Sequence, residues 1–438
     1  MKKTVLLVFI ATVFSVAGAF SQTVSPTPTR PREVSTQTNS ASPTPTVVPR
    51  LIITNAPTPT VTPRPIAAPT QNPSPITPTQ IYPSPFPSPT PRPAPTFYRP
   101  LGFAQIKKEI AEAKRQMLAR PMQTAMTDSF LTTDVIRIAF YDYKTANIDF
   151  ITMMKTAFLD KNNTEMTTTT TNGKIVTVKN IRANGVNTPV LIIDRDNRAQ
   201  LPLMVQYPVE RDGRFYETAF YMSTHPGIVT PEVVNAGRIY VRSIIDVART
   251  NLQKKGVYVS PQITDMAERL SIVEHVDHQR FNTEYQGNIF NDIFALYALN
   301  EGQTYRYSVS TAGAGGMVQM IPWTYNMIRS RYYNAALMPD FVEGMRNHTN
   351  AATAMLLYMQ MTWSDLTASE TVDAALATGI ATPAELMSAG YNSNPAKIAG
   401  YIKRGGANWK NLIPRETKIY LQINASMDKF VPYIPRAK

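Results

Sequence analysis

The chain has 438 residues, no cysteine, four histidines and a formal charge of +13. Without thiols, disulfides, zinc thiolate sites and cysteine nucleophiles are excluded. The charge suggests nucleic acid only until it is located: Lys2 and Lys3 carry two charges, residues 20 to 100 a net five, and the remaining 338 residues six. A mildly basic body with no Lys/Arg cluster among aromatics suits an anionic wall or membrane surface better than nucleic acid.

Lys2 and Lys3 precede an apolar run from Val5 to Val16 and the step Ala17-Gly18-Ala19. This is the pattern of an export signal over residues 1–19, cut near Ala19. The run is shorter than the ~20 residues a span needs, so no stable membrane anchor is expected, and the mature chain belongs in the periplasm or on the cell wall. Between Gln22 and Pro100 lie 22 of the 36 prolines. Such a segment buries too little apolar surface to offset its ordering entropy, which predicts a disordered, PPII-rich tether over residues 20–100.

Residues 101–126 read as a linking helix, with Ile106, Ile110, Ala113 and Met117 on one face and Pro121 ending it. Residues 127–260 read as a mixed α/β domain. Its strand-like runs are DVIRIAFYDY, KIVTVKNI, TPVLIIDRD, LPLMVQYPVE and RFYETAFYM, separated by the turn pairs Asn172-Gly173, Asn184-Gly185 and Asp212-Gly213. Helices are expected near Ile148 to Leu159 and near Pro231 to Lys255. Asp194 and Asp196 suggest either a metal pair or plain surface acids, and a strand-to-turn step favours the second. This domain and the tether are the two regions left for a cell-wall protein partner.

Residues 261–438 read as one helical domain, so the fold class is α+β. Within it, His275 and His278 stand three apart with no third ligand at helical spacing, and neither a metal nor any other cofactor is expected. In NIFNDIFALYALNEG, Phe290, Phe294, Tyr297 and Glu301 form one helical stripe that ends in a carboxylate, with Gly302 as C-cap. An apolar face and the negative end of a helix both disfavour the anion, as a general acid for glycoside cleavage requires.

Downstream, Ser310, Gly313, Ala314, Gly316, Gln319 and Pro322 stand in register with Glu301. The segment resembles the active-site signature of the soluble lytic transglycosylases, in which a catalytic Glu precedes S-x-x-G-A-x-G-L-M-Q-x-M-P. Two further blocks carry the likeness: Ala389-Gly390-Tyr391-Asn392 with Pro395, and Pro414-Arg415-Glu416-Thr417-Lys418-Ile419-Tyr420. Gly302 replaces the usual Ser after the catalytic Glu, and Val318 replaces a Met. Glu274, in LSIVEHVDHQRF, is a rival acid, but only Glu301 has the family's distance to Ser310.

The resemblance covers the C-terminal portion and implies a lysozyme-like all-α catalytic domain that acts on peptidoglycan glycan strands. It implies non-hydrolytic cleavage of the β-1,4 bond between N-acetylmuramic acid and N-acetylglucosamine, with Glu301 as sole acid and base and a 1,6-anhydro product. Ser310, Gly316, Gln319, Tyr391, Asn392 and Tyr420 are the expected substrate-binding residues. Two alternatives remain: a hydrolytic muramidase, with Glu274, Asp277 or Glu343 as second carboxylate, and a wall-binding protein without turnover.

Overall fold

A computed structural model describes residues 93–120, 122, 133–160, 165–211, 213–310 and 312–437. The export signal and the tether up to residue 92 lie outside the described residues, as do Pro121 and Asp212.

Strands form where β-branched and aromatic residues alternate with polar ones. They are β1 (Thr96–Phe97), β2 (Val135–Asp142), β3 (Asn147–Met154), β4 (Glu165–Thr169), β5 (Ile175–Asn180), β6 (Val190–Ile193), β7 (Arg198–Arg211) and β8 (Arg214–Tyr221). They build one sheet in the order β3-β2-β7-β6-β5-β4, with β1 and β8 also on β7. β1 lies parallel to β7; the other pairs are antiparallel. The long β7 contains Pro202 and Pro208, which cannot donate to a ladder. The register slips opposite Pro202, between Ala139 and Phe140, and again beside Pro208, between Val209 and Glu210. Bulges of this kind sharpen the twist, and the sheet curls.

The helices are α1 (Phe103–Ala119), α2 (Lys155–Phe158), α3 (Pro231–Lys254), α4 (Pro261–Val273), α5 (His278–Thr283), α6 (Gln286–Asn300), α7 (Pro322–Arg331), α8 (Phe341–Arg346), α9 (His348–Thr367), α10 (Glu370–Ala377), α11 (Pro383–Asn392), α12 (Ile398–Gly405) and α13 (Arg415–Phe430). Three of them start with one device. Thr230, Ser260 and Thr382 accept the N–H of Val233, Ile263 and Glu385, and each is followed by a proline at the first helical position. The cap satisfies an orphan donor, and the proline has none to satisfy. The class is therefore α+β, and among the described residues no helix is long and apolar enough to cross a membrane.

Two expectations need correction. The segment near Ile148 to Leu159 is strand β3 followed by the single turn α2, because β3 pairs with β2 along its whole length. Cross-strand pairing outweighs a helical spacing that was only local. The end of the expected tether is built into the fold: β1 joins β7, and Tyr98 stacks on Tyr143 at 4.5 Å with Arg198 over its ring at 3.7 Å.

One face of the sheet packs on α1 and α6 through a cluster containing Ile106, Met117, Leu203, Ala295 and Leu299. The other face holds Phe140, Phe158 and Ile192. α3 continues the helical core through Val241, Ile245 and Leu252, although the sequence groups it with the sheet. Its approach to α6 is close enough that a Cβ on Gly237 would lie 1.9 Å from the Phe294 carbonyl oxygen. This contact fixes α6 beneath the sheet and, with α4, sets the site.

Candidate active site

α4 carries its buried residues Met266 and Leu270 on the stripe that ends at Glu274, its C-terminal cap. The Tyr297 hydroxyl on α6 donates to the Ser271 carbonyl at 3.1 Å and fixes this last turn. Beyond it the chain turns at His275, and Asp277 caps α5 by accepting the Arg280 N–H at 2.7 Å. The His275 ring lies flat on Tyr305 at 3.4 Å and its Nε2 bonds the Met317 carbonyl at 2.9 Å. Burial holds the imidazole down at about 3, so it stays neutral and Nε2 donates.

The glycine loop folds back on itself. Gly315 bridges Val309 on one side and Met320 on the other, and the Gly316 N–H donates to the Ser308 carbonyl at 3.2 Å. Gly316 has φ +69, and a Cβ there would stand 2.3 Å from the Met345 carbonyl oxygen, so only glycine fits. Tyr391 on α11 pins the same loop by donating to the Val318 carbonyl at 2.6 Å.

Glu274 sits where these elements meet. It is partly buried, and the Tyr420 hydroxyl on α13 donates to its Oε1 at 2.7 Å. Burial pushes its carboxyl up to about 8, with Glu416 adding and the Tyr420 bond opposing. The protonated form therefore dominates at neutral pH. Tyr420 is itself almost fully buried, and burial and the neighbouring Glu274 push its hydroxyl well above the usual phenol range, so it remains a donor.

Glu274 opens on a cleft of about 540 Å³ whose other walls come from α5, α6, the loop residue Ser308 and the β5–β6 connection. A somewhat larger groove of about 630 Å³ lies between α4, α11 and α13. Its charges close on one another as Arg269 with Asp428 and Lys410 with Glu385, and the Glu385 carboxyl, despite its burial, is held below the usual range by Lys410 and Thr382.

Glu301 does not meet the premise on which the sequence argument chose it. Phe290, Phe294 and Tyr297 are buried as expected, but Glu301 caps α6 with its side chain 55% exposed. Its Oε1 accepts from Lys107 Nζ of α1 at 2.6 Å, and it does not line the cleft. Gly302 donates its N–H at 2.6 Å to Tyr240, which bonds His348, so the glycine serves a structural bond.

The other expected residues divide. Tyr391, Tyr420, Gly316 and Gln319 are assembled around Glu274 and its loop. Gln319, at φ +46, spends its amide N–H on the Gly316 carbonyl at 2.8 Å and so braces the loop. The Ser310 hydroxyl accepts the Ala314 N–H at 3.1 Å at an exposed turn. Asn392 is the half-buried last residue of α11. Of the acids named for hydrolysis, Glu343 pairs with Arg346 at 2.9 Å and lies outside the cleft, whereas Asp277 lines it. Asp194 and Asp196 bind Lys144, and the described residues contain no cluster suited to a metal.

The cleft residues Tyr305, Ser308, Arg280 and Arg182 escaped the sequence reading, and His275 entered it only as a candidate metal ligand. One signal was available for Glu274: Met266, Leu270 and Glu274 repeat at i, i+4 and i+8, as regular a stripe as the one ending at Glu301. No family model matches this chain, and no curated protein or solved structure matches it.

Proposed function

We propose that the chain is an exported lytic transglycosylase of peptidoglycan, that its helical part is lysozyme-like, and that Glu274 rather than Glu301 is its acid and base. The observation that carries this reading is a protonated carboxyl beside a glycine loop, at the wall of a polar cleft, held by a buried tyrosine. The three sequence blocks supply its other support, since the loop, Tyr391 and Tyr420 all converge on Glu274. The export signal and proline-rich tether fit an enzyme that works in the cell envelope.

In this mechanism the Glu274 carboxyl protonates the leaving glycosidic oxygen as the bond to the muramic acid C1 breaks. Tyr420 then donates to the carboxylate so formed. That carboxylate takes the proton from the C6 hydroxyl, whose oxygen closes on C1 to give the 1,6-anhydro ring. One carboxyl group serves both steps, and Glu274 ends protonated as it began.

A hydrolytic muramidase is the second reading, favoured by Asp277 in the same cleft three residues from Glu274. Mass analysis of the products released from purified sacculi separates the two. Anhydro ends are expected; reducing muramic ends that disappear with Asp277→Asn would establish hydrolysis, and no release at all would leave only a wall-binding protein.

A further inference from the structure

The sheet contributes to the cleft as well as to the core. The β5–β6 connection, residues 181–189, brings Arg182, Asn184 and Asn187 to the wall facing α5 and α6. Two guanidinium groups meet there with unequal obligations. Arg280 gives its Nε and Nη2 to Glu284, at 2.7 to 3.0 Å, and its Nη2 also to Asp292 at 2.7 Å. Arg182 approaches Asp292 only to 3.9 Å, beyond hydrogen-bond distance, and makes no hydrogen bond among the described residues.

Arg182 is thus a half-buried cation with its donors unspent. Burial, and then repulsion from Arg280, hold it below the usual guanidinium range while Asp292 opposes them. In the same wall the Thr224 hydroxyl is buried without a partner. A planar fork of donors in this state gains most from a carboxylate, which it can hold with two parallel bonds. The acids already in the cleft are otherwise engaged: Glu284 and Asp292 by Arg280, Asp277 as the cap of α5, and Glu274 by its own proton.

Building on the glycan-cleaving reading above, we propose that the β5–β6 loop is a substrate-binding element of this cleft, in which Arg182 takes a free carboxylate of the peptide carried by the glycan. The sheet is then a selector for the charged, peptide-bearing form of the polymer. The loop reaches the cleft from a strand pair more than 80 residues before Glu274 in sequence, so this contact is independent of the acid itself.

The test uses the full chain on native peptide-bearing glycan and on the same strands with their carboxylates converted to primary amides. Amidation should lower wild-type kcat/KM about tenfold, as expected for a charge-assisted pair. In Arg182→Gln the loss should shrink below about twofold, and Arg182→Lys should fall between. An Arg182→Gln variant as sensitive to amidation as the wild type, or a wild type indifferent to it, would overturn the assignment while leaving the enzymatic reading intact. A wild-type chain that releases nothing from native glycan would sink both.

Discussion

The C-terminal ends of α4 and α6 invite comparison, because each delivers an apolar stripe to a terminal glutamate and the two glutamates differ in almost everything else. Glu274 meets a tyrosine from α13 and a loop pinned by His275 and Tyr391, and it keeps its proton to about pH 8. Glu301 meets solvent and Lys107. Helical periodicity tells which face of a helix is buried, but the last residue lies at the rim of that face. Whether it is covered depends on what arrives from elsewhere in the chain.

Exchanging the two acids for their amides puts the comparison to its strongest test. Glu274→Gln removes both proton transfers and should lower turnover by a factor of about 100 to 10,000, whereas Glu301→Gln should stay within about twofold of wild type. Release of anhydro-muropeptides from sacculi measures both. A normal rate for Glu274→Gln would return the site to Glu301.

Stability against pH should separate the acids next. The folded carboxyl of Glu274 holds its proton to about pH 8, while an unperturbed glutamate releases it near 4.5. Ionisation therefore favours the unfolded chain between those values. The stability of the protonated state is complete below pH 4.5 and lost by pH 8. Glu274→Gln removes this dependence, so its advantage over wild type in urea unfolding should grow across that window to at least about 2 kcal/mol. A difference that stays flat with pH would show that Glu274 is not buried as described. Activity should likewise fall as pH rises through about 8, because the first step consumes the protonated acid.

The support of the acid can be sharpened at Gly316 and Tyr420. Gly316→Ala places a methyl group against the Met345 carbonyl in a left-handed conformation, and a loss of about 2 kcal/mol or more is expected by thermal unfolding. Tyr420→Phe removes the bond that lowers the Glu274 pKa, so the alkaline limb of the rate profile should move to higher pH. It should also cost about 1 kcal/mol of stability. The smallest effect belongs to Lys107→Ala, which breaks only an exposed pair and should change unfolding by less than about 0.5 kcal/mol.

These residues also show how far the sequence could be read. The α+β class, the helix starting at Thr230-Pro231 and the convergence of the glycine block with Tyr391 and Tyr420 were legible, because caps, turns and short motifs are local. Glu301 was chosen because the nine residues from it to Ser310 match a family spacing, and that count says nothing of its exposure or of its pairing with Lys107. Along the chain α5 and α6 intervene between Glu274 and the loop, and only folding brings His275 to the Met317 carbonyl across 42 residues. The β3 segment failed for a related reason, its partner β2 being invisible to a count of periodicity. Arg182 had no local signal at all, since it becomes a cleft residue only when the sheet is placed.

The bond from Tyr420 to Glu274 spans 146 residues and joins α4 to α13, the last helix of the described chain. A polypeptide threaded outward with its N-terminus leading would present Glu274 long before its partner emerged. Until α13 docks, that carboxyl lacks the hydrogen bond that opposes the effect of its burial. Docking of α13 is thus a late closure: a chain that stops short of residue 420 can build the last turn of α4 but not the donor that Glu274 meets in the finished fold.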